Sequence, residues 1–501
     1  MSALAGAMET LRKVQPLRVR GVVSALRGLT VLVEELPLPI GSLVEIGPAS
    51  RGPARAGRQE PGEPAPCRGE VVGFTRDQAI VMTLGQTTGI RPGDAVWGLQ
   101  SHQTAPVGRA LLGRVVDGLG APMDGGRTLR NTQPRSLSPD PISPLQRRRI
   151  TRQLLTGVRV IDLFTPLGRG QRIGIFAGPG VGKSTLLGQI SRRTSADVNV
   201  IALIGERGRE VKEFIEHSLG PEGLARSVVI AATGDESPLM RLRAARLACT
   251  AAEYFRDEGM DVLLVMDSIT RFAHAQRQVG LSVGEPPATK GYTPSVFAQM
   301  ALLLERAGAV GAEEVTKRRS DEVTKREGQM TPDPPIPITP SLRHSVTSSL
   351  PGSITGLYTI LVEGDDMTEP VADAARGILD GHIVLSRTLA NKGHFPAIDV
   401  MDSVSRVSDD VADADHLDAR RRVVRLIALF REVEDLVQIG AYARGSNPET
   451  DVAIDMQSAI NDLLRQGKGA AQRFEDSRAA LLKLAAQAVE TTAKLQRARR
   501  A

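Results

Sequence analysis

A glycine-rich segment of the chain, AGPGVGKS at 177–184, has the residue types and spacing of a phosphate-binding loop, with Ala177 in place of the usual first glycine. Its glycines permit the backbone dihedrals that turn N–H groups toward an anion. Lys183 is predicted to reach the β- and γ-phosphates of a nucleotide, and the Ser184 hydroxyl is predicted to hold Mg²⁺. The predicted nucleotide-binding residues of this segment are Gly178, Pro179, Gly180, Val181, Gly182, Lys183, Ser184 and Thr185.

Two carboxylates follow predicted strands and would complete a hydrolytic site. Asp267 ends the apolar run DVLLVMD, where a carboxylate faces the nucleotide crevice of a parallel sheet and suits a contact to Mg²⁺. A strand-end cap is the alternative for Asp267. Glu206, in ALIGERGREV, can polarise the water that attacks the γ-phosphate, and Arg207 can contact phosphate charge. On spacing alone, a salt-bridged surface turn explains Glu206 and Arg207 equally well.

Strands alternating with helices are predicted to position these groups. From about residue 106, short apolar runs rich in β-branched residues alternate with helical segments, which predicts an α/β domain with a largely parallel sheet buried on both faces. These runs are RIGIFAG, VNVIALIG, SVVIAATG, DVLLVMD, LYTILVEG and HIVLS. The phosphate loop follows the first run and precedes a helix, which is the context that this motif requires.

Different patterns flank the predicted α/β domain. Roughly the first hundred residues show short β segments punctuated by Gly and Pro, which predicts a small β-barrel, and a Pro/Gly/Arg-rich loop at 47–66 interrupts them. Beyond about residue 406, apolar residues recur at helical spacing to the end of the chain. We therefore predict three domains, at 1–105, 106–405 and 406–501.

Composition restricts the classes of function. The net charge of +6 over 501 residues permits contact with acidic lipid or nucleic acid but does not require it. Phe74 and Trp97 are the only aromatic residues up to position 108, too few for a platform that stacks bases. An RNA-tracking motor is therefore disfavoured, and no nucleic-acid partner is expected. No apolar run reaches membrane-spanning length and no signal peptide is evident, so a cytoplasmic protein is expected.

Six ordered motifs resemble the rotary-type hexameric ATPase family and, within it, the flagellar and type III protein export ATPases. The motifs are AGPGVGKST, GERGREVKEF, DVLLVMDSITRFA, VGEPPATKGYTPSVFAQM, GSITGLYTILVEGDD and GHFPAIDVMDSVSR. The resemblance extends over essentially the whole chain. It implies an N-terminal β-barrel, a central RecA-like phosphate-loop ATPase domain with a mostly parallel sheet, and a C-terminal helical domain. It also implies Mg²⁺-dependent hydrolysis of ATP.

The same resemblance implies catalytic roles for four residues. Glu206 matches the catalytic glutamate of the family, and Arg207 and Arg271 match basic residues near the γ-phosphate. Arg406, in SVSR, matches an arginine finger that reaches the nucleotide of a neighbouring subunit.

Other positions show where this chain follows the family and where it departs from it. Phe395 stands where the family often has Tyr and is implied to stack on adenine, while Tyr442 is implied to close the same pocket. The stretch Gly308–Pro351, which contains EVTKR twice, is longer than the usual connection. Because it links a helix to the next strand, we expect it at the N-terminal edge of the sheet, away from the nucleotide.

The resemblance implies a homohexamer that hydrolyses ATP to release export substrates and chaperones at a membrane export gate, peripherally at the inner membrane. Implied partners include a central stalk-like export protein and a stator-type regulator that binds a predicted helix at Ala3–Val14. An ATP synthase catalytic subunit is the first alternative. It is disfavoured because Glu206 and Arg406 occupy one chain, so identical subunits can complete each other's sites. A virulence-type secretion ATPase is the second, although RVIDLFTPLGRGQRIGIFAGPGVGKST looks closer to the flagellar branch.

Overall fold

The computed structural model of the chain describes residues 19–48, 67–311, 352–362, 364 and 366–500, with side chains described up to residue 497. The predicted N-terminal helix, most of the Pro/Gly/Arg-rich loop and both copies of EVTKR lie outside the described residues. Along the described chain a barrel is followed by a sheet packed between helices and then by a helical region.

Six strands near the N-terminus form the predicted small barrel. They are β1 Arg20–Arg27, β2 Thr30–Glu34, β3 Leu43–Gly47, β4 Cys67–Phe74, β5 Ala79–Thr83 and β6 Ala95–Gln100. All neighbouring pairs are antiparallel, and the barrel closes in the order β1-β2-β5-β4-β3-β6. Valines such as Val31, Val44, Val71 and Val81 fill a small core of its own, as the alternation of side chains along a half-buried strand requires.

A nine-stranded sheet forms the centre of the molecule. Its strands are β8 Val115–Val116, β12 Arg172–Ala177, β13 Val198–Ile204, β14 Ser227–Ala232, β15 Asp261–Asp267, β16 Gly308–Ala309, β17 Ser353–Leu361, β18 Gly381–Leu385 and β19 Ile398–Ser405. The order is β19-β18-β12-β17-β15-β13-β14-β8, with β16 antiparallel beside β17. The pairs from β18 through β8 are parallel, which confirms the predicted sheet. Two small antiparallel pairs lie outside it: β7 Thr104–Val107 with β9 Gln133–Ser136, and β10 Gln153–Leu154 with β11 Leu167–Gly168.

Helices connect these strands and form the C-terminal region. They are α1 Arg159–Phe164, α2 Lys183–Arg193, α3 Gly208–Glu213, α4 Gly220–Ala225, α5 Pro238–Asp257, α6 Ile269–Ser282, α7 Pro294–Leu304, α8 Pro370–Ile378, α9 Arg387–Asn391, α10 Ser408–Val411, α11 Ala414–Gln438, α12 Pro448–Leu464 and α13 Phe474–Arg500. A π-helical turn, Phe214–Leu219, joins α3 to α4, and short 3₁₀ turns lie at Arg109–Leu111, Pro144–Gln146 and Thr289–Gly291. Within the described residues, the length and apolarity needed to cross a membrane do not coincide in any helix.

Two hydrophobic cores lie on opposite faces of the sheet, because successive residues of a strand point to opposite sides. On β13, Val200 and Ala202 belong to one core, and Ile201 and Leu203 belong to the other. The first core includes α5, α6 and α7, and the second includes α2 and the C-terminal helices α11 to α13. The predicted helical end of the chain is thus confirmed, while the boundaries 1–105, 106–405 and 406–501 stay predictions.

The described flanks of the long connection lie at the edge where the parallel strands begin. Gly308 pairs with Ile354 and Ala309 with Ser353, at the start of β17. The phosphate loop follows Ala177 at the other edge, where β12 ends. The flanks therefore agree with the predicted placement away from the nucleotide, and the absence of any effect of this segment on chemistry stays a prediction.

Candidate active site

The phosphate loop joins the end of β12 to the start of α2. Gly180 and Gly182 have φ of 79° and 90°, in the left-handed region that side chains disfavour, which explains the glycines at these two positions. Val181 between them is buried in the second core and anchors the loop. The first N–H groups of α2 have no partner within the helix, so this end favours an anion such as a nucleotide phosphate.

The Lys183 side chain meets two carboxylates, Asp267 and Glu206, at the carboxyl ends of the adjacent parallel strands β15 and β13. The Lys183 Nζ donates to Asp267 Oδ1 at 2.5 Å and to Glu206 Oε1 at 3.4 Å. Asp267 is 3% exposed, and its Oδ1 also accepts a bond from the Thr359 hydroxyl at 2.6 Å. The structure therefore brings three of the predicted site residues together and adds Thr359, from β17, to them.

The environment of Glu206 suits a group that accepts a proton from water. Glu206 is 7% exposed, and Arg271 approaches its Oε2 at 3.2 Å while also donating to the Gly205 carbonyl. Burial raises the pKa of Glu206; the nearby charge of Asp267 adds to this, and Lys183 and Arg271 oppose it. A general base works best when its pKa lies nearer the working pH than that of an ordinary glutamate.

Arg207 points elsewhere. Its guanidinium pairs with Glu210 at 3.0 Å, and the side chain is 71% exposed. This is the salt-bridged turn that the sequence left open as the alternative for this residue. Contact between Arg207 and a phosphate stays a prediction.

The residues proposed for Mg²⁺ have the right donor chemistry. Ser184 is exposed at the start of α2, and Asp267 offers a carboxylate at the end of β15. Both present the hard oxygen atoms that Mg²⁺ takes, and in such sites phosphate and water supply the other ligands. The part of the chain that the structure describes has no cluster of three or more His, Cys, Asp or Glu able to hold a metal by itself. The residues thus fit an ion that binds together with the nucleotide.

A cavity of about 260 Å³ lies beside the phosphate loop and provides room for a base. Phe395 forms one wall, where its ring lies 3.6 Å from the position that a Cβ on Gly182 would occupy. Thr185 and Gln189 of α2 line the same cavity. Tyr442 does not line it; the Tyr442 hydroxyl lies 3.1 Å from Asp451 of α12. Its predicted contact with the nucleotide therefore has no support from the geometry within one subunit.

Two further lining residues, Gln466 and Lys468, were not among the predicted site residues. They belong to the segment between α12 and α13, within the sequence LLRQGKGAAQRFEDS. Paired glycines between two helices indicate a turn, but the sequence contains no signal that this turn reaches the nucleotide cavity.

Arg406 lies at the edge of the sheet opposite the phosphate loop. It follows β19, whose Ser405 pairs with Gly381 at the start of β18, and its N–H donates to the Asp380 carbonyl at 3.0 Å. At about 3.3 Å per residue, the length of β12 separates this edge from the loop by roughly 15–20 Å. Arg406 is exposed, and its contact with the nucleotide of a neighbouring subunit stays a prediction.

The loop, the carboxylates and the parallel sheet define a phosphate-loop ATPase. The family model for the nucleotide-binding domain of the ATP synthase alpha/beta family matches residues 157–331 and 341–405. The model for the β-barrel domain of that family matches 40–99, and the model for the C-terminal domain of the type III secretion ATPase EscN matches 412–483.

Individual relatives agree over most of the chain. A flagellum-specific ATP synthase of Treponema pallidum is 45% identical over 93% of both chains. A type 3 secretion system ATPase of Xanthomonas euvesicatoria is 46% identical over 82% of this chain and 84% of its own. The structure of the assembled ATPase EscN of enteropathogenic Escherichia coli with its central stalk EscO aligns with a TM-score of 0.76 and 38% identity, covering 93% of this chain and 100% of EscN. The chain belongs to the ATP synthase alpha/beta family, in its group of flagellar and type III secretion ATPases.

Proposed function

We propose that the chain is the ATP-hydrolysing motor of a bacterial flagellar protein export apparatus and that it works as a homohexamer. The observation that carries this proposal is the placement of Glu206 and Arg406 at opposite edges of one sheet. A subunit with a base on one side and an exposed arginine on the other is suited to a closed ring, in which each interface joins the two. The flagellum-specific relatives supply the export context.

The hydrolytic step follows from the arrangement of the side chains. Lys183 binds the β- and γ-phosphates, and Ser184 and Asp267 would hold a Mg²⁺ ion, which would supply further positive charge beside these phosphates. Glu206 accepts a proton from water as the water oxygen bonds to the γ-phosphorus and the bond to the β-phosphate oxygen breaks. When Lys183 turns from the carboxylates to the phosphates, Glu206 loses a nearby cation that lowers its pKa, so its basicity increases.

The partners and the location belong to the same proposal. The complex of EscN with its central stalk EscO supports a stalk-like export protein as a partner of this chain. A stator-type regulator is proposed to bind Ala3–Val14, and the ring is proposed to act on substrates and chaperones at export-gate membrane proteins. We place the ring in the cytoplasm, peripherally associated with the inner membrane.

A virulence-type secretion ATPase is the second candidate, favoured by the match to the EscN C-terminal model and by the Xanthomonas relative. Deletion of the gene in the native bacterium separates the two. Loss of motility and of secreted hook and filament proteins, restored by the wild-type gene, supports the flagellar role. Normal flagella with loss of effector secretion supports the alternative.

Replacement of Glu206 by Gln is expected to leave nucleotide binding intact and to reduce hydrolysis by about 10²–10⁴-fold, because an amide cannot accept the proton of the attacking water. Phosphate release and ADP binding are measured on the same preparation. The wild-type rate should also fall as pH decreases through the raised pKa of Glu206, since protonation removes the base, and this decrease should vanish in the variant. Glu213→Gln, an exposed position on α3, is the control. Loss of nucleotide binding in Glu206→Gln would assign Glu206 a structural role instead.

Replacement of Phe395 by Ala is expected to weaken ADP binding about 10- to 100-fold, because stacking of a base on an aromatic ring contributes about 1–3 kcal/mol. Phe395→Tyr keeps the ring and should bind ADP nearly as the wild type does. The dissociation constant of ADP is measured by titration calorimetry for each variant and for the wild type. Equal ADP affinity in Phe395→Ala and the wild type would remove Phe395 from the base site.

A further inference from the structure

The segment between α12 and α13, residues 465–473, is here named the connector. Two of its residues, Gln466 and Lys468, line the cavity beside Phe395, yet most of the connector is exposed. Its sequence, RQGKGAAQR, offers few apolar atoms to bury. Since burial cannot hold such a segment in place, hydrogen bonds must set its position.

Arg159 of α1 and Arg193 of α2 lie outside the C-terminal helical region and supply many of these bonds. Arg193 donates to the Ala470 carbonyl at 2.5 Å and to the Lys468 carbonyl at 3.1 Å. Arg159 donates to the Gln472 side chain at 2.6 Å and also to the Arg465 carbonyl. Each guanidinium thus uses its fork of donors to join two points of the connector.

Gln466 is fixed on several sides. Its amide oxygen accepts from the Arg159 backbone N–H at 2.8 Å, and its amide nitrogen donates to the Gly157 carbonyl at 3.0 Å. Its own backbone N–H donates to the Phe395 carbonyl at 2.9 Å. The connector is therefore tied directly to the wall of the cavity.

Gly157 makes the position of Arg193 possible. Its φ is 72°, and a Cβ at this residue would lie 2.4 Å from the Arg193 Cβ. The stem of Arg193 therefore passes against bare backbone. The same glycine provides the carbonyl that holds Gln466, so both contacts converge on one turn.

The two ends of the phosphate-loop helix lie far apart. The helix begins with Lys183 and ends with Arg193, about 15 Å further along the helix axis. Neither Arg193 nor Arg159 lines the cavity, so neither contacts a nucleotide there directly, and the connector that both residues bind does line it.

We propose that Arg159 and Arg193 are positioning residues for the nucleotide base, which hold the connector so that Gln466 and Lys468 close the base end of the cavity. The inference rests on the proposed nucleotide site. It requires the loss of Arg193 to weaken binding of the base and to leave binding of the phosphates unchanged, because Arg193 holds the connector while Lys183 lies at the opposite end of α2.

The test compares a ligand with a base to one without it. Binding of Mg-ADP and of Mg-pyrophosphate to the full chain is measured for the wild type, Arg193→Ala and Arg193→Lys. We expect Arg193→Ala to bind ADP about tenfold more weakly and to bind pyrophosphate as the wild type does, with Arg193→Lys in between. Arg192→Ala is the matched control, since the neighbouring Arg192 donates to the His217 carbonyl at 3.4 Å.

A second variant keeps the test valid if Arg193→Ala unfolds. Gln472 is exposed on the connector, and Gln472→Ala removes one bond to Arg159, so a smaller loss of affinity confined to ADP is expected. Unchanged ADP affinity in folded Arg193→Ala would overturn the proposal. Equal weakening of ADP and pyrophosphate would also overturn it and would show that Arg193 supports the phosphate loop. Failure of the wild type to bind either ligand would refute the nucleotide site itself.

Discussion

Replacement of Lys183 by Ala is expected to abolish ATP hydrolysis, leaving less than about 1% of the wild-type rate. The change removes the cation that binds the β- and γ-phosphates, so charge that develops during transfer loses its main protein contact. Release of phosphate by the purified chain is the measurement. Lys212→Ala, at a side chain that is 74% exposed and 3.8 Å from Glu216, should hydrolyse ATP normally.

The same replacement should change the site before any nucleotide binds. Lys183 lies between Asp267 and Glu206 and contacts both carboxylates. Without it, one cause that lowers the pKa of Glu206 is lost while burial and the charge of Asp267 continue to raise it. The variant should therefore take up protons at a higher pH than the wild type. Ordinary turnover by a folded Lys183→Ala chain would contradict the assignment of the phosphate loop.

Features of the site that depend on local sequence were predictable. The glycine pattern indicates a left-handed turn before a helix, and Gly180 and Gly182 have that conformation. Asp267 and Glu206 each follow an apolar run, and parallel strands bring their carboxyl ends to one edge of a sheet. That β13 pairs directly with β15, so that the two carboxylates lie side by side, is set by the strand order and is not evident from either run.

Features that depend on the order of strands and on distant packing were not predictable. Thr359 reaches Asp267 because β17 pairs with β15, an arrangement that its position in LYTILVEG does not reveal. Gln466 reaches the cavity because the C-terminal helices pack against α1, more than two hundred residues earlier in the chain. Arg207 shows a different limit. Adjacent residues of a turn point in different directions, so Glu206 is buried while Arg207 is exposed.

Replacement of Arg406 by Lys is expected to leave ATP binding and assembly intact and to reduce hydrolysis by about 10³–10⁵-fold, the contribution of arginine fingers in phosphoryl transfer. A guanidinium can contact two oxygens of the γ-phosphate at once, which an ammonium cannot reproduce. Because Arg406 and the phosphate loop lie at opposite edges of the sheet, an isolated subunit lacks a complete site. The specific activity of the wild type should therefore increase steeply with protein concentration as rings form. Arg444→Lys, at an exposed residue that pairs with Asp455, is the control.

Mixed rings provide the decisive test, because Glu206→Gln and Arg406→Lys chains are each nearly inactive alone. In a ring assembled from equal amounts of the two variants, some interfaces have a complete site. At these interfaces an Arg406→Lys chain supplies Glu206, and its Glu206→Gln neighbour supplies Arg406. Random assembly gives this order at about one quarter of the interfaces, so roughly a quarter of the wild-type activity should return if the sites work independently. Assembly is verified by size, and nucleotide binding by each variant is measured separately. If verified mixed hexamers recover no activity while both variants bind nucleotide, the shared site is wrong, and Arg406 is then an interface residue whose charge supports assembly rather than chemistry.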